Sequence, residues 1–154
     1  MREEAGAGIA RDLQEVSGAG DSLVHELYEL TDKWRDQGAG FASVEAILRF
    51  MEANPDLDYG VPGPLVRFAE SFHAQGNAPE YTEKLLESLR RAPMYYTVWM
   101  LNRLMNGEPG PDEKHLLLCE MKRIAADTEL KSPLRTLAAG FIEWQAKRGQ
   151  SHLD

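Results

Sequence analysis

The sequence predicts an all-α fold: a single-domain bundle of about seven to eight helices stacked as antiparallel hairpins, HEAT-like by analogy. Three observations predict it. Apolar residues recur at helical spacing along the chain. Gly, Pro, Asn or Asp separates each such segment from the next. No segment alternates apolar with polar residues for long enough to form a half-buried strand. The expected helix starts, near 21, 41, 63, 79, 97, 112 and 132, fall 15 to 22 residues apart. Short loops at that spacing make neighbouring helices antiparallel. The 154 residues form one domain, 1–154, with a sizeable core, the first 20 residues loosely ordered and 149–154 a tail.

Each element has its own signals. The first 20 residues form at most a loose helix around Ile9, Leu13 and Val16. Asp21 caps a helix to about Gln37, with Leu23, Leu27, Leu30 and Trp34 in one stripe. A helix from Phe41 to Ala53 buries Val44, Ile47, Leu48 and Met51 and stops at Asn54-Pro55. Pro64 starts the next, with Leu65, Phe68, Ala69 and Phe72 inward. Pro79 opens another, using Tyr81, Leu85, Leu86 and Leu89. The helix from Thr97 to Met105 is apolar nearly all round and ends at Asn106-Gly107 with a left-handed cap. It is therefore the central element, with Asn102 and Arg103 satisfied by backbone or carboxylates. A binding site around Tyr95, Tyr96 and Trp99 is the functional alternative for that segment. Asp112 caps a helix burying Leu117, Met121 and Ile124, and Ser132-Pro133 starts the last, which carries Leu134, Leu137, Phe141, Ile142 and Trp144.

The charge is unevenly spread. Residues 1–60 hold 13 Asp and Glu against 5 Lys and Arg, whereas residues 61–154 hold 12 of each. A net charge of −8 argues against nucleic acid or an anionic membrane as partner. No apolar run approaches a bilayer span, the first residues lack the pattern of a signal peptide, and the expected compartment is the cytoplasm. The lone Cys119 excludes an internal disulfide.

Catalytic and metal motifs fail one by one. His25-Glu26 begins a zinc-protease pattern, but Glu29 stands where the second His belongs. Glu70 and His73 have di-iron spacing without the second copy such a site needs. The Gly-Ala-Gly triplets at 6–8, 18–20 and 38–40 follow no strand and lack a P-loop lysine, so they read as turns and helix boundaries. Cys119 lies on a Leu-rich helix, which predicts a buried, inert thiol. No cofactor, metal or catalytic residue is expected.

The acidic excess does have a geometry. At about 100° per residue, His25, Glu29, Asp32 and Asp36 share the face opposite Leu23, Leu27, Leu30 and Trp34, and Tyr28 flanks them. Asp56, Asp58 and Tyr59 follow in the next loop. Like charges at i,i+3 and i,i+4 repel, and acids near a helix C-terminus oppose its dipole. Local stability does not explain them. An acidic surface with flanking Tyr suits a basic protein partner, for which complementary charge speeds association and aromatic anchors lengthen it. These eight residues are the candidate partner-binding set.

Three further stretches carry a resemblance. Gly63-Pro64-Leu65-Val66-Arg67-Phe68, Leu85-Leu86-Glu87-Ser88-Leu89-Arg90-Arg91, and Pro93 with Thr97-Val98-Trp99-Met100-Leu101-Asn102-Arg103 together resemble bacterial immunity proteins of contact-dependent inhibition and other polymorphic toxin systems. Pro93-Met94 departs from the Pro-Thr pair of that group. The matching positions are helix-core and junction residues, so no toxin-contacting residue carries over. The resemblance implies an all-helical, non-enzymatic protein that binds a cognate toxin domain 1:1, here a basic nuclease, and covers its active site. A helical adaptor without a toxin and a small helical metal-binding enzyme are the alternatives.

Overall fold

The computed structural model describes the backbone of residues 2–151 and the side chains of residues 6–149. Among the described residues it has eight helices and no strand: α1 Arg2–Gln14, α2 Asp21–Asp36, α3 Ala42–Ala53, α4 Pro64–Ala74, α5 Ala78–Arg91, α6 Tyr95–Asn106, α7 Pro111–Ala126 and α8 Ser132–Ser151. Among the described residues no helix is long and apolar enough to cross a membrane. The chain divides into two compact units, Met1–Ser88 and Leu89–Asp154, with the division inside α5. Their formal charges differ sharply. The first holds 17 Asp and Glu against 7 Lys and Arg, a net of −10, and the second 8 against 10, a net of +2.

In the first unit α1 lies on α3, α2 on α4, and α3 on α4. Stacking of sequence neighbours thus holds for α3 and α4, while α1 and α2 each pack on the next helix but one. α1 buries Ile9 and Leu13, two of the three residues around which a helix was expected there. The triplet at 6–8 is not a turn but part of α1, where Gly6 comes close enough to Ala42 that an added methyl would sit 3.5 Å from its Cβ. The α2 stripe is buried at Leu23, Leu27, Thr31 and Trp34, with Leu30 half-buried. The core of this unit continues through Val44, Ile47, Leu48 and Met51 of α3 and Leu65, Phe68 and Ala69 of α4. Asp21 does not cap α2. Gly20 holds that position, and the carboxylate of Glu26 instead accepts the backbone N–H groups of Ser17 and Gly18, at 3.3 and 2.9 Å.

In the second unit α7 lies on α8, and α6 lies on both. α6 buries Tyr96, Thr97, Val98, Met100, Leu101, Asn102 and Met105, which agrees with its apolar circumference. The partner of Asn102 is neither backbone nor carboxylate. Gln145 of α8 donates to Asn102 and to Asn106, each at 2.8 Å, and Arg148 donates to Asn106 at 2.6 Å. At the C-terminus of α6 Gly107 keeps φ −75°, and the left-handed residue is Glu108, at φ 56°. Glycine marked the helix end, but the reversal falls one residue later. Asp112 sits in the first turn of α7 and Gly110 at its cap.

The expected burial of Cys119 fails, and the apolar residues of α8 show the same cause. α7 buries Leu117, Glu120, Met121 and Ile124, and Cys119, about 200° from Leu117 around the helix, is exposed. α8 buries Ala138 and Gln145, whereas Leu134, Leu137, Phe141 and Ile142 are half-buried and Trp144 is exposed beneath the Arg148 guanidinium. Runs such as Leu116-Leu117-Leu118 wrap around a helix, so composition alone cannot say which member faces inward. Glu120 accepts from Arg123 Nε at 3.0 Å and lies 3.8 Å from Arg90. The hydrogen bond to Glu120 holds the Arg123 guanidinium pKa above its ordinary value.

The start of α6 contains a testable cap. Thr97 Oγ1 accepts the Met94 N–H and donates to the Met94 carbonyl, both at 3.1 Å, and the Thr97 N–H approaches the Met94 sulfur at 3.4 Å. A thioether is a weak acceptor, so the hydroxyl carries this corner. Thr97→Val keeps the volume and orphans a buried N–H. It should cost about 1–3 kcal/mol in urea denaturation, and Thr97→Ser clearly less. Equal losses for the two variants would assign the effect to packing.

Candidate functional site

The face of α2 that points away from the core exposes His25, Tyr28, Glu29, Asp32 and Asp36, as its periodicity requires. The side chain of Asn54 ends α3 by donating to the carbonyl of Phe50 at 3.0 Å, and residues 54–63 then form a loop. Tyr59 closes that loop from within: its ring is fully buried and its hydroxyl donates to the Asn54 carbonyl at 2.6 Å. Tyr59 is therefore removed from the candidate contact set. It is a tether, because an aromatic ring beside an apolar core gains more by burial than by waiting in solvent. Asp58 accepts the Gly60 N–H at 2.9 Å, so this exposed acid also shapes the loop.

With the loop held this way, Asp21, His25 and Tyr28 of α2 line one groove with Asp58 and Val61. The groove has a volume of about 470 Å³. Three predicted residues, His25, Tyr28 and Asp58, are thus brought together. Glu29, Asp32 and Asp36 continue the exposed face along α2, and Asp56 lies in the loop outside the groove.

The acidic stripe is less bare than its sequence suggested. His25 Nε2 lies 3.2 Å from Glu29, and Asp32 pairs with Arg35 at 3.1 Å. Lys33 turns instead to Asp12 of α1, at 3.3 Å. All the side chains on the stripe itself are strongly exposed, so these pairs are screened and weak. Among the described residues, no cation lies within ion-pair distance of Asp21, Asp36 or Asp56.

Two apolar residues were missed by sequence reasoning. Val61 is 84% exposed and Leu57 is 37% exposed, and with Tyr28 they are the large exposed hydrophobics among the described residues of the first unit. Their signal was present: an aliphatic side chain in a loop of Asp, Gly and Pro has no helical stripe to join. Leu57 also lines a larger groove of about 880 Å³ between α1 and α3, together with Leu13, Val16, Leu23 and Phe50. Consecutive residues, Leu23 and Val24 and again Leu57 and Asp58, line one groove each.

The alternative aromatic site is self-occupied to a large degree. Tyr95, Tyr96 and Trp99 pack on one another with centroids 5.2 to 6.1 Å apart, and Tyr96 is buried. His73 packs edge-on against Tyr81, with centroids 5.6 Å apart. Among the described residues no group of three or more His, Cys, Asp or Glu gathers closely enough to hold a metal. Comparison with family models, curated proteins and solved structures finds no match to this chain.

Proposed function

We propose that the chain is an immunity-type inhibitor, a non-enzymatic protein that binds a basic toxin domain 1:1 and covers its active site, the toxin being a nuclease. One observation carries this reading. The exposed apolar residues Tyr28 and Val61 line one groove with the acids Asp21 and Asp58, and Glu29, Asp32 and Asp36 continue along the same exposed helix, in a unit whose net charge is −10. Apolar anchors supply lifetime once water is excluded from around them, and the surrounding acids steer a cationic partner. A nuclease needs a positive cleft to hold phosphate. An acidic face with protruding apolar groups is complementary to the rim of such a cleft. The resemblance of the middle segments to immunity proteins supports the same reading and leaves the contact residues to this surface.

The test is kinetic. The partner is captured from the native cell on the immobilised chain, identified, and its association measured over a salt series. Reversal of Glu29, Asp32 and Asp36 to Lys should slow association by about 10-fold to 10³-fold at low salt and flatten its salt dependence. Dissociation should change little, because these residues surround the apolar anchors. Unchanged association in the triple variant would remove this face from the complex.

A further inference from the structure

The groove between α2 and the 54–63 loop differs in make-up from the acidic stripe beside it. Its wall holds two carboxylates, Asp21 and Asp58, the Tyr28 ring, and the apolar side chains of Val24 and Val61. His25 lines it too, with Nε2 at 3.2 Å from Glu29 of the stripe. No Lys or Arg lines the groove. Tyr28 is 45% exposed and Val61 84% exposed, so two large apolar groups stand in water on one concavity. Both walls are held in place: α2 packs on α4, and the buried Tyr59 ties the loop to the Asn54 carbonyl. A preformed groove spares its occupant the cost of ordering it.

Apolar surface and negative charge in one concavity select a particular cation. A lysine ammonium is compact and strongly hydrated, and it loses that water unfavourably beside valine side chains. A guanidinium is planar and more weakly hydrated, stacks on an aromatic face, and turns several N–H donors toward carboxylates. Asp58 accepts the Gly60 N–H at 2.9 Å, but a carboxylate has about four lone-pair positions and remains an acceptor. Glu29, Asp32, Asp36 and Asp56 carry the same charge outside the groove, without its aromatic and apolar wall.

We propose that this groove receives an arginine side chain of the partner, with the guanidinium on the Tyr28 ring and its N–H groups donating to Asp21 and Asp58. The inference rests on the reading of the partner as a basic protein and adds the group that it inserts. It also divides the labour on this face. The charges of the stripe set the rate of association, and the desolvated arginine sets the lifetime of the complex.

The experiment titrates the full chain, labelled with nitrogen-15, with the blocked peptide Gly-Arg-Gly and separately with Gly-Lys-Gly. The Arg peptide should shift the amide signals of Val24, Tyr28, Gly60 and Val61 and saturate with Kd about 1–20 mM. The Lys peptide should bind at least about threefold more weakly. Tyr28→Ala and Asp21→Asn should each weaken the Arg peptide by about threefold to tenfold. Both residues are exposed, and a dispersed amide spectrum verifies that the variants are folded. Equal binding of the two peptides, shifts centred on Asp32 and Asp36, or no shift at about 50 mM peptide would overturn the proposal. With the identified partner, Tyr28→Ala should raise the dissociation rate by about tenfold or more and leave association unchanged. A basic partner whose dissociation ignores Tyr28→Ala removes the arginine from the groove and leaves the acidic face in place. Arg-selective binding without a basic toxin in the native cell upholds the groove and removes the immunity reading.

Discussion

Gly63→Ala is expected to lower stability by about 3 kcal/mol or more, or to prevent folding, as read from the urea midpoint. Gly63 has φ 90° and ψ 171°, a region that side-chain-bearing residues avoid. An added methyl would overlap the carbonyl oxygen of Tyr59 and lie 2.6 Å from its carbon and 3.0 Å from Gly60 Cα. All three obstacles are backbone, so no side chain can turn aside. The loop cannot yield cheaply either. Tyr59 is anchored to Asn54, and the Gly63 carbonyl accepts the Arg67 N–H at 3.2 Å in the first turn of α4. Gly76→Ala is the control: its φ is 110° but nothing lies within 4 Å of the added methyl, so strain alone should cost about 1–3 kcal/mol. Similar losses for the two variants would mean that residues 59–63 adopt another path. Because Asp58 and Val61 stand on this loop, Gly63→Ala should also weaken binding of the proposed partner beyond its effect on stability.

The same glycine shows where sequence reading stops. Pro64 at the first turn of α4 was legible, because a fixed φ and a missing N–H fit that position. The close return of the chain onto Tyr59 was not, since it depends on atoms four residues away in a loop without period. The cores of α3 and α4 were legible for the opposite reason. Val44, Ile47, Leu48 and Met51, and Leu65, Phe68, Ala69 and Phe72, lie on narrow stripes with polar residues opposite, and all are buried. Where apolar residues surround a helix, as at 116–118 of α7 and along α8, periodicity does not choose a face. Neighbouring helices choose it, and Cys119 and Trp144 consequently point outward.

The candidate site divides in the same way. His25, Tyr28, Glu29, Asp32 and Asp36 could be placed on one face because α2 is a regular helix with a clear inner stripe. Tyr59 could not be placed, because its burial follows from how the loop folds back on α3. The counter-charges were also hidden. Arg35 lies within reach of Asp32, but whether it turns there or elsewhere is a tertiary matter, and it also stands over the Phe68 ring at 5.4 Å. The −10 of the first unit sharpens the original asymmetry, since the helices and loop through 88 add acids that residues 1–60 alone do not count.

Trp34→Ala is expected to cost about 3–5 kcal/mol, the usual result of emptying a buried Trp site. The indole is buried, meets Phe68 of α4 edge to face at 5.5 Å, and donates its N–H to Asp12 of α1 at 2.9 Å. One side chain thus ties α2 to two other helices. Trp34→Phe separates the contributions: the ring contact with α4 survives and the bond to α1 is lost. It should cost about 1–3 kcal/mol, because the acceptor is a carboxylate. Asp12 also receives Lys33 and remains partly solvated, which places the expectation in the lower half of that range. In a double-mutant cycle, Trp34→Phe and Asp12→Ala should be non-additive by about 1 kcal/mol. Strict additivity would mean that the indole N–H and the carboxylate do not meet. The bond matters beyond stability. α1 contributes Leu13 and α2 contributes Leu23 to the wall of the larger groove. If the proposed basic partner also contacts that groove, loosening α1 from α2 should speed its dissociation while its salt-dependent association stays unchanged, the reverse of the charge-reversal variant.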